Sequence, residues 1–140
     1  MSRKSNTKEI EDLIKRIEDF KEQKDEILTT LTKEIALRLW RKVRKRTPVG
    51  IYPKGSVKHG GTLRRGWTVG EITEINGIYK VEIINNVEYA PYVEFGHRTR
   101  NHKGWVKGVY MLTISEQEID ENLETIIRLK LNKILKEVFI

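Results

Sequence analysis

The first third of the chain carries a helical pattern of apolar positions. Residues 8–46 contain neither glycine nor proline and are rich in Glu, Lys, Leu and Ile, which favours a helix. The apolar positions are Ile10, Leu13, Ile17, Phe20, Ile27 and Leu31, and then Ile35, Leu39 and Val43, with Lys24 interrupting them. One bent helix fits this pattern, and so does an arm over residues 1–28 ahead of a domain over residues 29–140, with a break at Thr30–Lys33. The narrow apolar seam of such an arm suits either packing against another subunit or plain exposure to solvent.

After the helix, the apolar spacing changes to two. Leu63, Arg65, Trp67 and Val69 alternate with smaller or polar residues, which predicts a strand. The segment EITEINGIYKVEII then places Asn76-Gly77 between two β-rich runs, the strongest short hairpin signal. A regular register pairs Glu71 with Glu82, and like charges opposite each other are unfavourable. A β-bulge near Gly70, or a nearby arginine, would relieve this repulsion.

An aromatic segment, NVEYAPYVEFG over residues 86–96, follows the hairpin. Pro91 is suited to the first turn of a short helix, and Gly96 can end it. Tyr89, Tyr92 and Phe95 then lie on one side of that helix. We expect these rings to pack against the sheet; exposure of a ring at a subunit contact and a ligand cage are the alternatives.

The remaining residues predict a strand through Trp105–Leu112 and a final helix. Ser115 and Glu118 have the spacing of a capping box, and a broad apolar stripe runs from Ile119 to Val138. The predicted fold is therefore α+β: a small antiparallel sheet packed with a long N-terminal helix and a C-terminal helix, with a short helix in the 89–96 connection.

Charge is distributed unevenly along the 140 residues. The net charge is +7, and residues 41–66 hold nine basic and no acidic side chains. Residues 48–62 are also dense in glycine, proline and lysine, which predicts a long mobile loop. Basic segments of this kind attract phosphates or acidic proteins, or they form a solvated face. A small basic DNA-binding protein that uses residues 41–66 is therefore one hypothesis.

Candidate chemistry for catalysis is missing from the sequence. There is no cysteine, and His97 and His102 lie in a basic stretch beside Arg98, Arg100 and Lys103, where neighbouring cations oppose a divalent metal. No phosphate-binding loop, nucleophile elbow or zinc-protease motif occurs. No apolar run approaches the length of a membrane span, about 20 residues. We expect no enzyme activity, no catalytic or cofactor-binding residues, no metal site and no contact with a membrane.

Four fragments occur in an order that resembles a known family. They are Thr47-Pro48-Val49, Gly61-Thr62-Leu63-Arg64-Arg65-Gly66-Trp67, Tyr89-Ala90-Pro91-Tyr92-Val93-Glu94-Phe95-Gly96-His97 and Gly104-Trp105-Val106-Lys107-Gly108-Val109-Tyr110-Met111-Leu112. This order, over roughly residues 35–135, is similar to the HK97 gene-ten-like tail components of long-tailed phages and prophages. The chain departs from that family at residues 51–61, where the family usually has only one or two residues.

The resemblance implies a structural protein of the virion, synthesised in the cytoplasm of the bacterial host. It implies a position at the neck or head-proximal tail, in head–tail joining or tail completion. It also implies a homo-oligomeric ring, often with six-fold symmetry, around the channel that DNA crosses without sequence readout. The expected neighbours are head–tail connector and tail-tube proteins, and neither enzyme activity nor a cofactor is implied.

The motifs also suggest which residues form the core and which face a partner. We expect a core that contains Leu63, Trp67, Val81, Tyr89, Tyr92, Phe95 and Trp105. We expect a surface that meets a partner or DNA to contain Arg64, Arg65, Arg98, Arg100 and Lys103.

Overall fold

The helices α2 and α3 pack against a long β-hairpin, and a second, smaller hairpin follows α4. The computed structural model describes residues 2–139; Met1 and Ile140, the outer bounds of the two predicted units, lie outside this range. The elements are α1 (Ser2–Glu22), α2 (Lys24–Arg46), α3 (Thr62–Arg65), β1 (Trp67–Val69), β2 (Thr73–Ile75), β3 (Ile78–Lys80), β4 (Ile83–Asn85), α4 (Ala90–Phe95), β5 (Gly96–Arg98), β6 (Trp105–Lys107) and α5 (Met111–Phe139). The predicted α+β fold, with a short helix in the 89–96 connection, is confirmed.

The break in the long N-terminal helix lies at Gln23, and the predicted break at Thr30–Lys33 is wrong. The hydroxyls of Thr30 and Thr32 donate to backbone carbonyls one turn earlier, at 2.9 and 2.7 Å. This internal bonding lets threonine remain within a helix. Near the end of α1, the ring of Phe20 lies 6.3 Å from that of Phe139 in α5.

The central hairpin contains two antiparallel ladders whose registers differ by one residue. Trp67 pairs with Asn85 in β1–β4, whereas Thr73 pairs with Lys80 in β2–β3. The predicted Asn76-Gly77 turn is confirmed, and both residues have positive φ, 53° and 79°. Positive φ at both central positions matches the type I′ turn that twists with its strands.

The change of register between the two ladders lies beside Glu71 and Glu82. Gly70 continues the β1–β4 ladder opposite Glu82, and its N–H donates to the Glu82 carbonyl at 2.7 Å. Glu71 is therefore the extra residue on its strand, as expected of a β-bulge. The predicted register is that of the β2–β3 ladder, where Thr73 pairs with Lys80, and the bulge predicted near Gly70 is present.

The predicted strand over residues 63–69 begins four residues late, because Thr62–Arg65 form the short helix α3. Leu63 and Trp67 are both buried and lie four residues apart. A spacing of four satisfies a strand, with its period of two, and also one turn of a helix. The sequence pattern therefore could not distinguish the two conformations at this point.

The core lies where α2, α3, β1, α4 and the beginning of α5 meet. Its buried residues are Val43, Leu63, Trp67, Ala90 and Met111. Trp40, Ile83, Val87, Val93 and Leu112 pack around them. α5 also runs along α2, and ion pairs join the two helices. All four motif fragments are adjacent to this core.

The final helix begins earlier than the sequence predicts. α5 starts at Met111, so Ser115 lies inside the helix, and its hydroxyl donates to the Met111 carbonyl at 2.6 Å. The capping box at Ser115 and Glu118 is therefore wrong, and the strand predicted through Trp105–Leu112 shortens to β6. A different carboxylate caps α5, as described below.

Candidate functional site

The first of the four sequence fragments, Thr47-Pro48-Val49, ends α2 at a buried hydroxyl. Thr47 is 1% exposed. Its hydroxyl donates to the Val43 carbonyl at 2.5 Å and accepts the indole N–H of Trp67 at 2.8 Å. A buried hydroxyl and indole both need hydrogen-bond partners, and here each satisfies the other. This bond fixes the end of α2 to the beginning of β1.

Two further hydrogen bonds join the same elements. The indole N–H of Trp40 donates to the Trp67 carbonyl at 2.9 Å, and the guanidinium of Arg64 donates to the Thr47 carbonyl at 2.9 Å. Arg64 is half-buried, so its side chain serves an internal contact. That Arg64 also meets a partner or DNA stays a prediction, and Arg65 is exposed and donates to the Gly60 carbonyl.

Glu94, in the aromatic fragment, is a buried acid that sequence reasoning missed as a structural residue. It is 6% exposed. Its carboxylate accepts the backbone N–H groups of Leu112 and Thr113, each at 2.9 Å, and the Thr113 hydroxyl at 2.7 Å. These N–H groups belong to the first turn of α5, which has no intrahelical partner for them. A negative charge at this end of a helix is also favoured by the helix dipole.

Backbone hydrogen bonds strengthen the same contact. The N–H groups of Val109 and Tyr110 donate to the carbonyls of Val93 and Glu94, at 2.8 and 3.0 Å. α4 therefore holds the start of α5 by backbone and side chain together. The sequence spacing between Glu94 and residues 112–113 does not predict this contact. It forms because the chain between α4 and α5 folds back and places the first turn of α5 against Glu94.

The aromatic residues of the fragment are not core residues, and this corrects the sequence prediction. Leu63 and Trp67 are buried, but Tyr89 is 47% exposed, Tyr92 and Phe95 are each 59% exposed, and Trp105 is 62% exposed. Val81 is only half-buried. The reason is that Ala90 and Glu94 occupy the inner side of α4, so the rings on the remaining positions point outwards.

A short basic hairpin follows α4. β5 and β6 pair Arg98 with Trp105, and Arg98, Arg100 and Lys103 are all exposed. Gly96 has a φ of 87°, and a Cβ atom there would lie 2.4 Å from the Val106 carbonyl oxygen. Only glycine therefore lets the two strands approach this closely at the end of α4.

The turn of this hairpin is held by its own polar side chains. Thr99 accepts the N–H of Gly104 on its hydroxyl at 3.0 Å and donates to the Asn101 side-chain oxygen at 2.6 Å. That oxygen also accepts the Lys103 N–H at 3.0 Å. We name residues 96–107 the basic hairpin. These bonds hold the turn in one conformation, and they thereby fix where its cations and Trp105 lie on the surface.

Two grooves flank α4 on opposite sides. One, of about 720 Å³, is lined by Tyr89, Tyr92, His97 and Trp105, beside the basic hairpin. The other, of about 670 Å³, lies between α4, β4 and the start of α5, and we name it the α4–α5 cleft. Both have largely apolar linings, so they fit protein side chains better than a charged substrate.

Most cations at the end of α2 already have partners inside the chain. Lys42 and Arg46 form ion pairs with Glu118 of α5, and the guanidinium of Arg44 lies 4.5 Å from the ring centre of Trp40. With Arg64 and Arg65 also bonded to carbonyls, five of the nine basic residues in 41–66 make such contacts. The segment is therefore less available to phosphates than its charge suggests.

The ion pairs of Glu118 predict a specific dependence of stability on pH. The hydrogen bond from Arg46, followed by that from Lys42, lowers the pKa of Glu118 from 4.5 to about 2. The folded pKa is below the unfolded one, so the stabilisation is present above pH 4.5 and is lost as the pH falls towards 2. We expect Glu118→Gln to flatten the loss of stability between these values, measured by urea unfolding.

The matched control for this prediction is Glu116→Gln. Glu116 is exposed on the same helix and forms no ion pair among the described residues. Its substitution should leave the pH profile parallel to that of the natural chain. Identical profiles for Glu118→Gln and the natural chain would show that the pairs with Arg46 and Lys42 contribute nothing in solution.

Residues 2–139 contain neither a candidate metal site nor a membrane-spanning helix. No group of three or more His, Asp or Glu residues in this range could hold a metal ion. None of the helices described there is long and apolar enough to cross a bilayer.

Comparisons with known proteins identify the family. A sequence model of the bacteriophage HK97-gp10-like tail components matches residues 11–96. The match starts earlier than the predicted 35–135 and therefore includes most of α1, and it ends at Gly96, the first residue of the basic hairpin. No curated protein and no solved structure matches the chain. Since the family model covers more than half of the sequence, the chain belongs to the bacteriophage HK97-gp10-like family of phage tail components.

Proposed function

We propose that this tail component assembles as a ring at the neck or head-proximal end of the tail and acts in head–tail joining or tail completion. The observation that carries the proposal is the exposure of Tyr92, Phe95 and Trp105, each 59% exposed or more. Large aromatic side chains are favoured anchors of protein interfaces. Here they project from elements that Glu94 and Gly96 hold in place, which suits a rigid assembly surface.

The proposed ring has six-fold symmetry and surrounds the DNA channel, and its neighbours are head–tail connector and tail-tube proteins. Arg98, Arg100 and Lys103 belong to the surface that meets a partner, which is a neighbouring subunit or one of these proteins. DNA passes through the channel by contacts to phosphates, which carry no sequence information. The role is structural and non-enzymatic, and the protein reaches the virion after synthesis in the host cytoplasm.

The two-unit organisation is part of this proposal. The apolar residues Ile10, Leu13, Ile14 and Ile17 of α1 are all exposed, although they form a continuous helical stripe. An arm over residues 1–28 that packs against a neighbouring subunit would cover them. The domain over residues 29–140, with its mobile loop at 48–62, would then form the body of the ring.

Deletion of the gene tests this function. In a phage or inducible prophage that carries the gene, we expect the deletion to leave DNA-filled heads and separate tails, or tails with an unfinished head-proximal end. Infectious particles should fall by at least about three orders of magnitude, because joining is an obligatory step of assembly. Electron microscopy and plaque counts after induction provide the measurement.

Complementation supplies the controls for this experiment. The natural gene in trans should restore joined particles, and labelled protein should be found at the neck. Normal numbers of joined, infectious particles without the gene would contradict the proposed function. Label along the tail tube or at the distal tip would contradict the proposed position.

A further inference from the structure

The basic hairpin presents a tryptophan between two cations on one face. Residues opposite each other in antiparallel strands, and those two apart on one strand, share a face. Trp105 is opposite Arg98, and Lys107 is two residues beyond it. Trp105 is 62% exposed, and neither cation forms an ion pair among residues 6–139. This face therefore offers an apolar anchor with positive charge on both sides.

The α4–α5 cleft has the opposite character. Its apolar lining includes Ile83, Ile84, Phe95 and Leu112, and two exposed carboxylates, Glu82 and Glu116, also line it. Neither carboxylate forms an ion pair within the part of the chain that the structure describes. The cleft, of about 670 Å³, lies within the range of pockets that hold ligand-sized groups, and an indole is smaller than this.

We propose that the basic hairpin of one copy docks into the α4–α5 cleft of a second copy. Trp105 enters the cleft, and Arg98 and Lys107 face Glu82 and Glu116 of the second copy. The inference rests on the proposed function, because it supplies the contact that a ring requires. It goes further by naming both surfaces and the residues that join them.

The positions of the two surfaces favour a second copy as the occupant. The cleft is lined by Ala90, Pro91 and Phe95 of α4, whereas the groove beside the hairpin is lined by Tyr92 and Val93. The two surfaces thus lie on different sides of α4 and cannot meet within one chain. A contact between two different surfaces of identical subunits is heterologous, and its repetition closes a ring when the rotation allows.

Charge also favours a second copy over DNA. Phosphates would be attracted to Arg98 and Lys107 but repelled by Glu82 and Glu116, so DNA satisfies only one of the two surfaces. A DNA duplex also offers no unstacked base to an exposed tryptophan such as Trp105. A different virion protein remains an outcome of the test.

Disulfide trapping tests the contact directly, because the chain contains no cysteine. The variant Lys107→Cys with Ile84→Cys places one thiol on the hairpin and one in the cleft, and it keeps Trp105, Glu82 and Glu116. Tails are isolated from cells in which this variant replaces the natural chain and are then oxidised mildly. We expect a ladder of cross-linked dimers, trimers and larger species in gels without reductant.

The matched control is Lys107→Cys with Ile75→Cys. Ile75 is an exposed isoleucine in β2 of the central hairpin, which also contains Ile84 in β4. Its cross-strand partner, Ile78, is about 20 Å along the strand from Ile84. This control should remain monomeric. Tails that contain several copies of the variant but give no ladder beyond the control overturn the inference. Particles that assemble normally without any copy contradict the proposed function, and the inference with it.

Charge reversal tests the same contact in a second way. Arg98→Glu with Lys107→Glu should weaken self-association by about tenfold or more, as should Glu82→Lys with Glu116→Lys. All four substitutions in one chain should restore self-association, measured by analytical ultracentrifugation on chains without the introduced cysteines, while Lys54→Glu with Lys58→Glu should leave it unchanged. Failure of the fourfold variant to restore self-association, or a cross-link of the cysteine variant to another virion protein, would overturn the docking of one copy into the next.

Discussion

Replacing Trp67 with alanine is expected to lower the free energy of unfolding by about 4 kcal/mol. Trp67 is 6% exposed and belongs to the core cluster, so truncation leaves a large cavity. It also leaves the Thr47 hydroxyl without the indole N–H that it accepts at 2.8 Å. Urea unfolding followed by circular dichroism measures the change.

Trp105→Ala is the matched control, because it removes the same side chain from an exposed position. It should change the free energy of unfolding by no more than about 0.5 kcal/mol. Equal losses for the two variants would contradict the assignment of one tryptophan to the core and the other to the surface.

Thr47→Val separates the hydrogen bond from the packing. It keeps the volume but leaves the buried N–H of Trp67 without its acceptor, which should cost about 2 kcal/mol. In a Trp67→Phe background, where that N–H is gone, the same change should cost clearly less. Equal costs in the two backgrounds would show that the bond does not couple α2 to β1.

Replacing Glu94 with alanine is expected to lower the free energy of unfolding by about 3 kcal/mol, since the carboxylate accepts three hydrogen bonds in a buried position. The loss leaves the first N–H groups of α5 without partners. Glu94→Gln should lie between alanine and the natural chain, because one oxygen remains as an acceptor. Chemical denaturation again gives the values.

Glu88→Ala provides the comparison, because Glu88 is an exposed glutamate six residues earlier. Its replacement should leave the free energy of unfolding within about 0.5 kcal/mol of the natural value. If Glu94→Ala behaves like Glu88→Ala, then Glu94 does not cap α5 in solution. Amide exchange at Leu112 and Thr113, which should accelerate only in the Glu94 variants, provides a second measurement.

Local patterns predicted several elements correctly. Asn76-Gly77 forms the expected turn, and the like-charged pair Glu71 and Glu82 correctly indicated a bulge near Gly70. Turn type and cross-strand repulsion depend on residues that are close together along the hairpin. The same local reasoning failed at Ser115, where a capping-box spacing occurs inside α5 and the true cap comes from another element.

The aromatic fragment shows the limit of such reasoning. Spacing correctly placed Tyr92 and Phe95 on a short helix, with Tyr89 just before it, but it did not indicate which side of that helix faces the core. That side is set by Ala90 and Glu94, because α5 returns to Glu94 for its first hydrogen bonds. The rings are therefore left on the outer surface.

The sequence by itself determined the α+β class, the hairpin turn, and, through its ordered motifs, membership of a phage tail-component family. These properties follow from the period of apolar residues and from short-range backbone preferences. Only the tertiary structure decided that Arg64 and Glu94 serve internal contacts while Trp105 is exposed. Burial and hydrogen-bond partners depend on which distant segments meet, and no spacing along one chain records that.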